Sequence, residues 1–317
     1  MRTMQEPSAL ELPPGARAEA GAGRRVGPDV LLALLAVYVI WGSTYLAIRF
    51  ALEGFPPFLM AGGRFVLAGG ALYLFQRARG APHPSRAQWV GAGTVGALLL
   101  LGGNGGVVFA EQWIASGLVA LGLATVPVWT AIFAALWGQR PSGGEWLGVG
   151  VGFAGVVLLN LEGDMRANPL GAVAVMISAI CWALGTVWSR RLRLPNGLMA
   201  SAVEMLVGGG LMLGVSVSAG ERLTQTPDAR PVLALAYLIV FGSLVGFTAY
   251  GYLLRRVRAT VATSYAYVNP VVAVGLGAAL AGERITLVGV LAMVAILGGV
   301  VLITLSRTRG GAARARE

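Results

Sequence analysis

Long apolar stretches without charge follow one another along almost the whole of this 317-residue chain. Two of them are interrupted by a single charge, Arg64 in residues 54–76 and Glu204 in residues 194–220. A helix needs about 20 mostly apolar residues to span a bilayer. The sequence therefore predicts an all-α integral membrane protein with ten transmembrane helices. The eight stretches without any charge are residues 30–48, 87–110, 112–139, 146–161, 167–189, 231–254, 259–282 and 285–306.

Composition argues against the other classes of protein. Charged residues make up 12% of the chain, about half of the roughly one quarter that soluble domains carry. A net charge of +10 would suggest nucleic acid for a soluble protein. Here the arginines lie in short segments between the spans, so we expect the lipid bilayer as partner and no nucleic acid. One cysteine, Cys181, and one histidine, His83, form no metal-ligand cluster. We therefore expect no metal, no cofactor and no enzymatic activity.

The arginines also predict how the chain is oriented. With ten spans, both termini lie on the same side of the membrane. If that side is the cytoplasm, 18 arginines flank the cytoplasmic ends of the spans and 5 flank the outer ends, as the positive-inside rule requires. We expect a multi-pass protein of the cell inner membrane with both termini cytoplasmic. Residues 1–29 are predicted to be a disordered cytoplasmic tail, and residues 307–317 a second cytoplasmic tail.

The two halves of the chain resemble each other. Residues 138–159, GQRPSGGEWLGVGVGFAGVVLL, align without a gap with residues 282–303, GERITLVGVLAMVAILGGVVLI. The sequence predicts two five-helix repeats, residues 30–161 and 168–306. Because five is odd, the second repeat enters the membrane from the opposite side. Such inverted repeats are typical of secondary transporters, whose binding site lies near the midplane.

Polar and aromatic residues inside the predicted spans are candidates for that site. Pro127 and Pro270 occupy equivalent places in the two halves, and each is expected to free a carbonyl that faces a cavity. Helix packing alone is the alternative for the prolines, and a place at the membrane interface is the alternative for Trp41. The predicted substrate-binding residues are Trp41, Thr44, Tyr45, Arg64, Asn104, Thr125, Trp129, Trp182, Glu204, Tyr265 and Asn269.

Each of the two charges within the spans allows two interpretations. A charge at this depth normally faces the protein interior and is functional. Arg64 would bind a substrate carboxylate or anchor carbonyl groups at a helix end. Glu204 would accept a coupling proton if it approaches Arg64 across the repeat interface, or it would lie at the arginine-rich inner face. Glu111, at the end of the third span, is expected at the outer mouth.

Further segments carry a resemblance to a known family: IWGSTYLAIRFAL (40–52), GRFVLAGGAL (63–72), the long stretch 246–303, which contains SYAYVNPVVAVG, and its first-repeat partner around Pro127. With the segments quoted above, they resemble the drug/metabolite transporter superfamily, specifically its EamA-type ten-helix permeases. The resemblance covers about residues 30–306. It implies pseudo-two-fold symmetry, a central cavity and export of small metabolites, amino acids or drugs by alternating access, with protons as a possible coupling ion.

Two other functions are compatible with the sequence, and one motif departs from the pattern of the family. An uncoupled channel-like facilitator and a membrane sensor are the alternative functions. The family often has Gly-Glu-Arg after both the fourth and the ninth helices. Here residues 282–284 keep this motif, whereas residues 138–140 read Gly-Gln-Arg. We therefore interpret Glu283 as a structural residue.

Overall fold

The structure is a computed structural model that describes residues 27–113, 119, 122–138, 141–160, 169–281 and 287–314. Within these residues the regular secondary structure is helical. A short helical turn, Ala259–Ala262, precedes the helix that begins at Tyr265. In chain order the helices are α1 (Pro28–Leu52), α2 (Pro57–Ala78), α3 (Arg86–Ala110), α4 (Val126–Leu136), α5 (Gly143–Asn160), α6 (Pro169–Trp188), α7 (Leu198–Ser218), α8 (Ala229–Arg256), α9 (Tyr265–Ala281) and α10 (Leu287–Arg314).

Six of the described helices are long and apolar enough to cross a membrane, namely α1, α2, α3, α6, α7 and α8. Two shorter apolar helices are α4 and the Leu287–Ile303 part of α10. Large apolar side chains such as Leu32, Leu74 and Leu233 point outward and are exposed, as expected where lipid replaces water around the helices. The predicted all-helical membrane fold is thus confirmed, and the count of ten spans stays a prediction.

Helix packing relates the two halves of the chain. Helix α2 packs along α7, and α5 packs along α10. Helix α1 packs on α8 and α9, while α6 packs on α3 and α4. Under the predicted repeat, α1 corresponds to α6, α8 to α3 and α9 to α4, so each contact has a counterpart. The centre of the molecule is therefore lined by α1 and α6 together with their partners.

Glycine permits the closest of these contacts. A Cβ atom on Gly209 of α7 would lie 2.9 Å from the backbone nitrogen of Val66 in α2. A Cβ atom on Gly299 of α10 would lie 2.5 Å from the backbone nitrogen of Gly152 in α5. Small residues allow membrane helices to approach until their backbones touch, and van der Waals contact then stabilises the pair.

Two π-helical segments interrupt α3 and α8. They cover Ala97–Asn104 and Leu238–Val245, and they begin 141 positions apart. π-helical geometry breaks the regular i to i−4 bonding and is frequent at functional sites. Here two carbonyls of these segments accept bonds from side chains: Ser178 donates to Gly103, and the indole nitrogen of Trp41 donates to Gly242 at 3.1 Å.

The two prolines differ in the structure, contrary to the sequence-based expectation. Pro270 lies inside α9, as predicted. Pro127 lies in the first turn of α4, directly after a turn at residues 124–125. Proline lacks only an N–H that a first turn leaves unbonded in any case. The prediction that Pro127 frees a carbonyl in mid-helix was therefore wrong.

Several predicted boundaries shift as well. The stretch 259–282 is not one continuous helix, because residues 263–264 form a turn before α9. Helix α1 begins at Pro28, inside the segment expected to be a tail, and the backbone of α10 is helical as far as Arg314. Residues 1–26, Gln139, Arg140 and the Gly282–Arg284 motif lie outside the described residues.

Candidate functional site

Aromatic rings from four helices meet in the core. The Trp41 ring of α1 lies 4.7 Å from the Tyr265 ring of α9 and 5.5 Å from the Trp182 ring of α6, both edge-to-face. Phe247 and Tyr250 of α8 lie 5.2 and 5.1 Å from Trp41. Edge-to-face and tilted aromatic pairs contribute about 0.5–1.5 kcal/mol each beyond their burial. These contacts hold side chains from both halves of the chain together, and the cluster is called here the aromatic wall.

Hydrogen bonds fix the orientation of these rings. The indole nitrogen of Trp182 donates to the Tyr250 hydroxyl at 3.2 Å, and that hydroxyl is 2.6 Å from the hydroxyl of Thr186. Trp41 is held by its bond to the carbonyl of Gly242. A Cβ atom on Gly246 would lie 2.3 Å from the Trp41 indole nitrogen, so the ring fits only because residue 246 is glycine. Every indole N–H in this cluster has an acceptor, as buried polar groups require.

A small cavity lies against the aromatic wall, with a water-accessible volume of about 60 Å³. Polar groups also line it: Arg64 donates to the Asn104 side chain at 2.7 Å, and the Asn269 side-chain oxygen is buried without a hydrogen-bond partner among the described residues. Its lining combines an apolar aromatic wall with a few polar groups, which is typical of small-molecule sites. Eight of the eleven predicted site residues line this cavity: Trp41, Thr44, Tyr45, Arg64, Asn104, Trp182, Tyr265 and Asn269.

The three other predicted site residues do not line it. Thr125 precedes α4, and its hydroxyl donates to the carbonyl of Gly122 at 2.6 Å. Trp129 stacks on Phe133 of the same helix. Glu204 is buried in α7, and its charge interacts with that of Arg255. Of the two interpretations of Glu204, the charge interaction with Arg255 fits a place beside the arginines at a helix end, and the carboxylate whose charge interacts with Arg64 is Glu111.

Seven lining residues were not predicted. They are mostly apolar or lack a side chain, so no charge or hydroxyl marked them in the sequence. They lie on α1, α3, the start of α4 and the residues before it, α8 and α9, and the packing of these elements brings them to the cavity. A usable signal was the glycine-rich FGSLVGF at residues 241–247. The seven residues are Ile48, Val107, Leu123, Val126, Gly242, Phe247 and Ala266.

A wide polar vestibule lies where α3 ends. Its volume is about 810 Å³, and the α1–α2 and α7–α8 connections form its walls. Arg49, Glu111 and Gln112 also line it. Arg64 and Asn104 belong to the small cavity instead. Glu111 therefore lines the vestibule, whereas Arg64 lines the small cavity.

Buried polar contacts close the end of the helix bundle where α5 begins, called here the Glu145 end. Glu145 is fully buried and forms an ion pair with Arg258 at 3.0 Å. Thr260 donates to the same carboxylate at 2.9 Å, and so does the backbone nitrogen of Ser142 at 2.7 Å. Ser142 and Glu145 form a capping box, which satisfies the first N–H groups of α5. These contacts tie α5 to the segment before α9.

Among the described residues, no group of three or more His, Cys, Asp or Glu side chains could hold a metal ion. Arg64 lines the cavity, and Glu111, whose charge interacts with that of Arg64, lines the vestibule. Both suit recognition of a charged or zwitterionic small molecule by hydrogen bonds and charge.

Comparison with known proteins agrees with the fold. An uncharacterized inner membrane transporter of Escherichia coli (strain K12), YedA, is 46% identical over 276 residues, which is 87% of this chain and 90% of that protein. A probable amino-acid metabolite efflux pump of the same strain is 25% identical over 295 residues, covering 86% of this chain and 93% of the pump. A crystal structure with 21% sequence identity superposes with a TM-score of 0.75 and covers 88% of this chain and 98% of that chain.

The profile of the EamA-like transporter family matches this sequence twice, over residues 29–161 and 169–305. The two matches together extend over most of the chain. An all-helical membrane fold and relatives named as transporters and efflux pumps accompany them. The protein therefore belongs to the EamA-like transporter family.

Proposed function

We propose that this protein exports small metabolites, amino acids or related compounds among them, by alternating access around the central cavity. The observation that carries the proposal is the cavity itself, in which an aromatic wall faces Arg64, Asn104 and Asn269. Such a lining suits a ligand with one apolar and one polar end. One relative is named a probable amino-acid metabolite efflux pump, which supports this substrate class.

The packing of the helices supports two inverted five-helix repeats, residues 30–161 and 168–306. Helix α1 contacts α8 and α9 as α6 contacts α3 and α4. Inverted repeats can exchange conformations about a site at their interface, which opens the site to one side of the membrane at a time. The structure has a wide vestibule at one end and buried contacts at the Glu145 end, as one of two such states would.

This asymmetry also favours a transporter over the channel-like facilitator. A channel needs a continuous polar path that is open at both ends. At the Glu145 end the side chains of Glu145, Thr260 and Ser264 are buried, so this end is closed. Flux into proteoliposomes with and without an imposed pH gradient tests the mechanism. Gradient-dependent flux would support a proton-coupled exporter, gradient-independent flux a facilitator, and no flux for any compound would favour the sensor.

The cavity wall gives a direct test of the proposal. Replacing Asn269 with leucine of similar volume is expected to lower flux at least about tenfold, because a buried acceptor that faces the substrate is lost. Folding is expected to be retained, because the side-chain oxygen has no hydrogen-bond partner among the described residues, and the variant otherwise loses the hydrogen bond between the Asn269 side chain and Tyr45. Flux of the amino acids that the wild type carries, normalised to folded protein in the vesicles, is the measurement.

Ser243→Ala is the matched control for that variant. The Ser243 hydroxyl is also buried without a hydrogen-bond partner, but it does not line the cavity. Its removal is expected to leave flux within about twofold of the wild type. Equal flux in the Asn269→Leu variant would show that the cavity is not the substrate site.

Orientation is tested by cysteine labelling. We propose that the arginine-rich segment after α6 faces the cytoplasm, because 18 of the 24 arginines then lie inside. In a Cys181→Ala background, Arg193→Cys is expected to react with a membrane-impermeant reagent only after the cells are opened. Thr224→Cys, in the exposed α7–α8 connection, is expected to react in intact cells. The reverse pattern would refute the orientation.

A further inference from the structure

Two ionisable side chains of opposite sign, Arg64 and Glu111, are buried with part of their hydrogen-bonding capacity unused among the described residues. Arg64 is 3% exposed; its guanidinium donates to Asn104 and lies over the Phe65 ring, but its Nε has no hydrogen-bond partner. Both carboxylate oxygens of Glu111 are buried, and neither accepts a hydrogen bond from the residues that the structure describes. Burying a charge is costly unless it is paired and hydrogen-bonded. Each group therefore has bonding capacity that the protein itself leaves unused.

The two groups do not satisfy each other. Their charges attract, yet they do not form a direct ion pair. Helix α3 and the residue that follows it set this separation, because Asn104, the partner of Arg64, precedes Glu111 by seven residues. Seven residues are about two helical turns and place both side chains on the same face. The guanidinium lines the small cavity and the carboxylate lines the vestibule, and the space between these two side chains is called here the gap.

Other charged groups within the described part of the chain do not fill this gap. Arg49 of α1 interacts with the charge of Glu111 from the vestibule, and an arginine there still leaves both carboxylate oxygens without a donor. Glu204 of α7 interacts with the charge of Arg255 in α8 and does not line the cavity. The chemistry that completes the gap is a small molecule bearing both signs of charge.

We propose that Arg64 and Glu111 are the two poles of a subsite that selects zwitterions, with the ligand carboxylate on Arg64 and its ammonium group on Glu111. The inference rests on the proposed function and assigns specificity to one residue pair within it. The aromatic wall of Trp41, Trp182 and Tyr265 receives the rest of the ligand. A ligand that lacks its carboxylate leaves Arg64 unpaired, and one that lacks its ammonium group leaves Glu111 unpaired. The subsite therefore selects against ligands that lack either charge.

Binding to the full-length protein in detergent tests this subsite. The melting temperature of the wild type is first screened against the common amino acids. For the amino acid that stabilises most, for example leucine, affinity is compared with that of the analogue without the amine, isocaproate, and the analogue without the carboxylate, leucinamide. The zwitterion is expected to bind at least about tenfold more tightly than either analogue.

Glu111→Gln separates the two poles. The variant keeps the shape of the side chain and removes a buried charge, so it is expected to fold. Its affinity for the zwitterion should fall about tenfold to that of the deaminated analogue, while affinity for the deaminated analogue stays unchanged. Glu53→Gln is the matched control, because Glu53 lines the same vestibule but forms an exposed ion pair with Arg230 at 3.5 Å. It should keep the wild-type preference.

Three results would overturn the subsite: no amino acid stabilises the wild type, the charge-deleted analogues bind as tightly as the zwitterion, or Glu111→Gln keeps the full preference. An equal loss in Glu53→Gln would also overturn it, since general charge at the mouth would then explain the selectivity. The proposed export function fails separately. Selective binding without any flux in proteoliposomes would refute export and retain the subsite, whereas flux without selectivity would refute the subsite alone.

Discussion

Replacing Gly209 with leucine is expected to abolish most of the folded protein. A Cβ atom at this position would lie 2.9 Å from both the Val66 nitrogen and the Phe65 Cβ, and 3.0 Å from the Gly62 carbonyl. Two of these three atoms belong to the backbone of α2, so a change of rotamer cannot relieve the clash. Overpacking typically costs about 1–3 kcal/mol, and more when helices must separate. The α2–α7 pair joins the two halves of the chain, so the loss should extend to the whole molecule.

Gly210→Leu is the matched control, because no atom lies within 4 Å of a Cβ built at Gly210. It should give wild-type yield in fluorescence-detected size-exclusion chromatography, with a melting temperature within a few degrees of the wild type. Gly209→Leu should give less than about a tenth of that monodisperse peak. Similar peaks from the two variants would contradict the close contact between α2 and α7.

The second large effect is expected at the Glu145 end. Arg258→Ala removes the positive charge that pairs with Glu145 at 3.0 Å, and Glu145 is fully buried. Breaking a buried ion pair from one side typically costs about 3–5 kcal/mol, because an uncompensated charge stays in the protein. We expect a loss near the lower end of that range in the free energy of unfolding, measured by titration with a denaturing detergent. Arg258 itself is partly exposed, so water partly replaces what is lost.

The double variant shows whether the buried charge is the cause. Glu145→Gln added to Arg258→Ala should recover most of the lost stability, since the amide oxygen still accepts bonds from Thr260 and Ser142 without carrying a charge. Arg256→Ala serves as control in the same segment. Arg256 is exposed over the Tyr252 ring, a contact worth about 0.5–1 kcal/mol. Additive losses in the double variant would rule out the proposed role of the Glu145 charge.

Much of the candidate site could be predicted because polar atoms are costly in hydrocarbon. Arg64, Asn104 and Asn269 stood out as polar residues within apolar stretches, and the structure brings all three to one cavity. The same logic placed Glu204 in the site, although it is buried beside a different charge, that of Arg255. Depth within a span indicates that a charge faces protein, but it does not indicate which protein group the charge meets.

Local sequence was less informative about backbone geometry. Pro127 and Pro270 are equivalent by alignment, yet one begins a helix and the other lies within one. Proline has no N–H to donate in either place. Because a turn precedes α4, Pro127 lies in the first turn, where the N–H would have no partner within the helix, whereas Pro270 removes a bond inside α9. The π-helical segments of α3 and α8 had no signal beyond nearby glycines, because their freed carbonyls are stabilised by Trp41 and Ser178 from other helices.

The sequence by itself determined that this is a helical membrane protein, because uncharged stretches of about 20 residues can satisfy their backbone in lipid only as helices. It also determined the resemblance that the family match confirms. Only the tertiary structure decided which side chains share the cavity and which acid stands near Arg64. Glu111 lies outside the apolar stretches, at the end of α3, and nothing along the chain relates it to Arg64. Their approach depends on how α2 and α3 pack, which is set by contacts between residues distant in sequence.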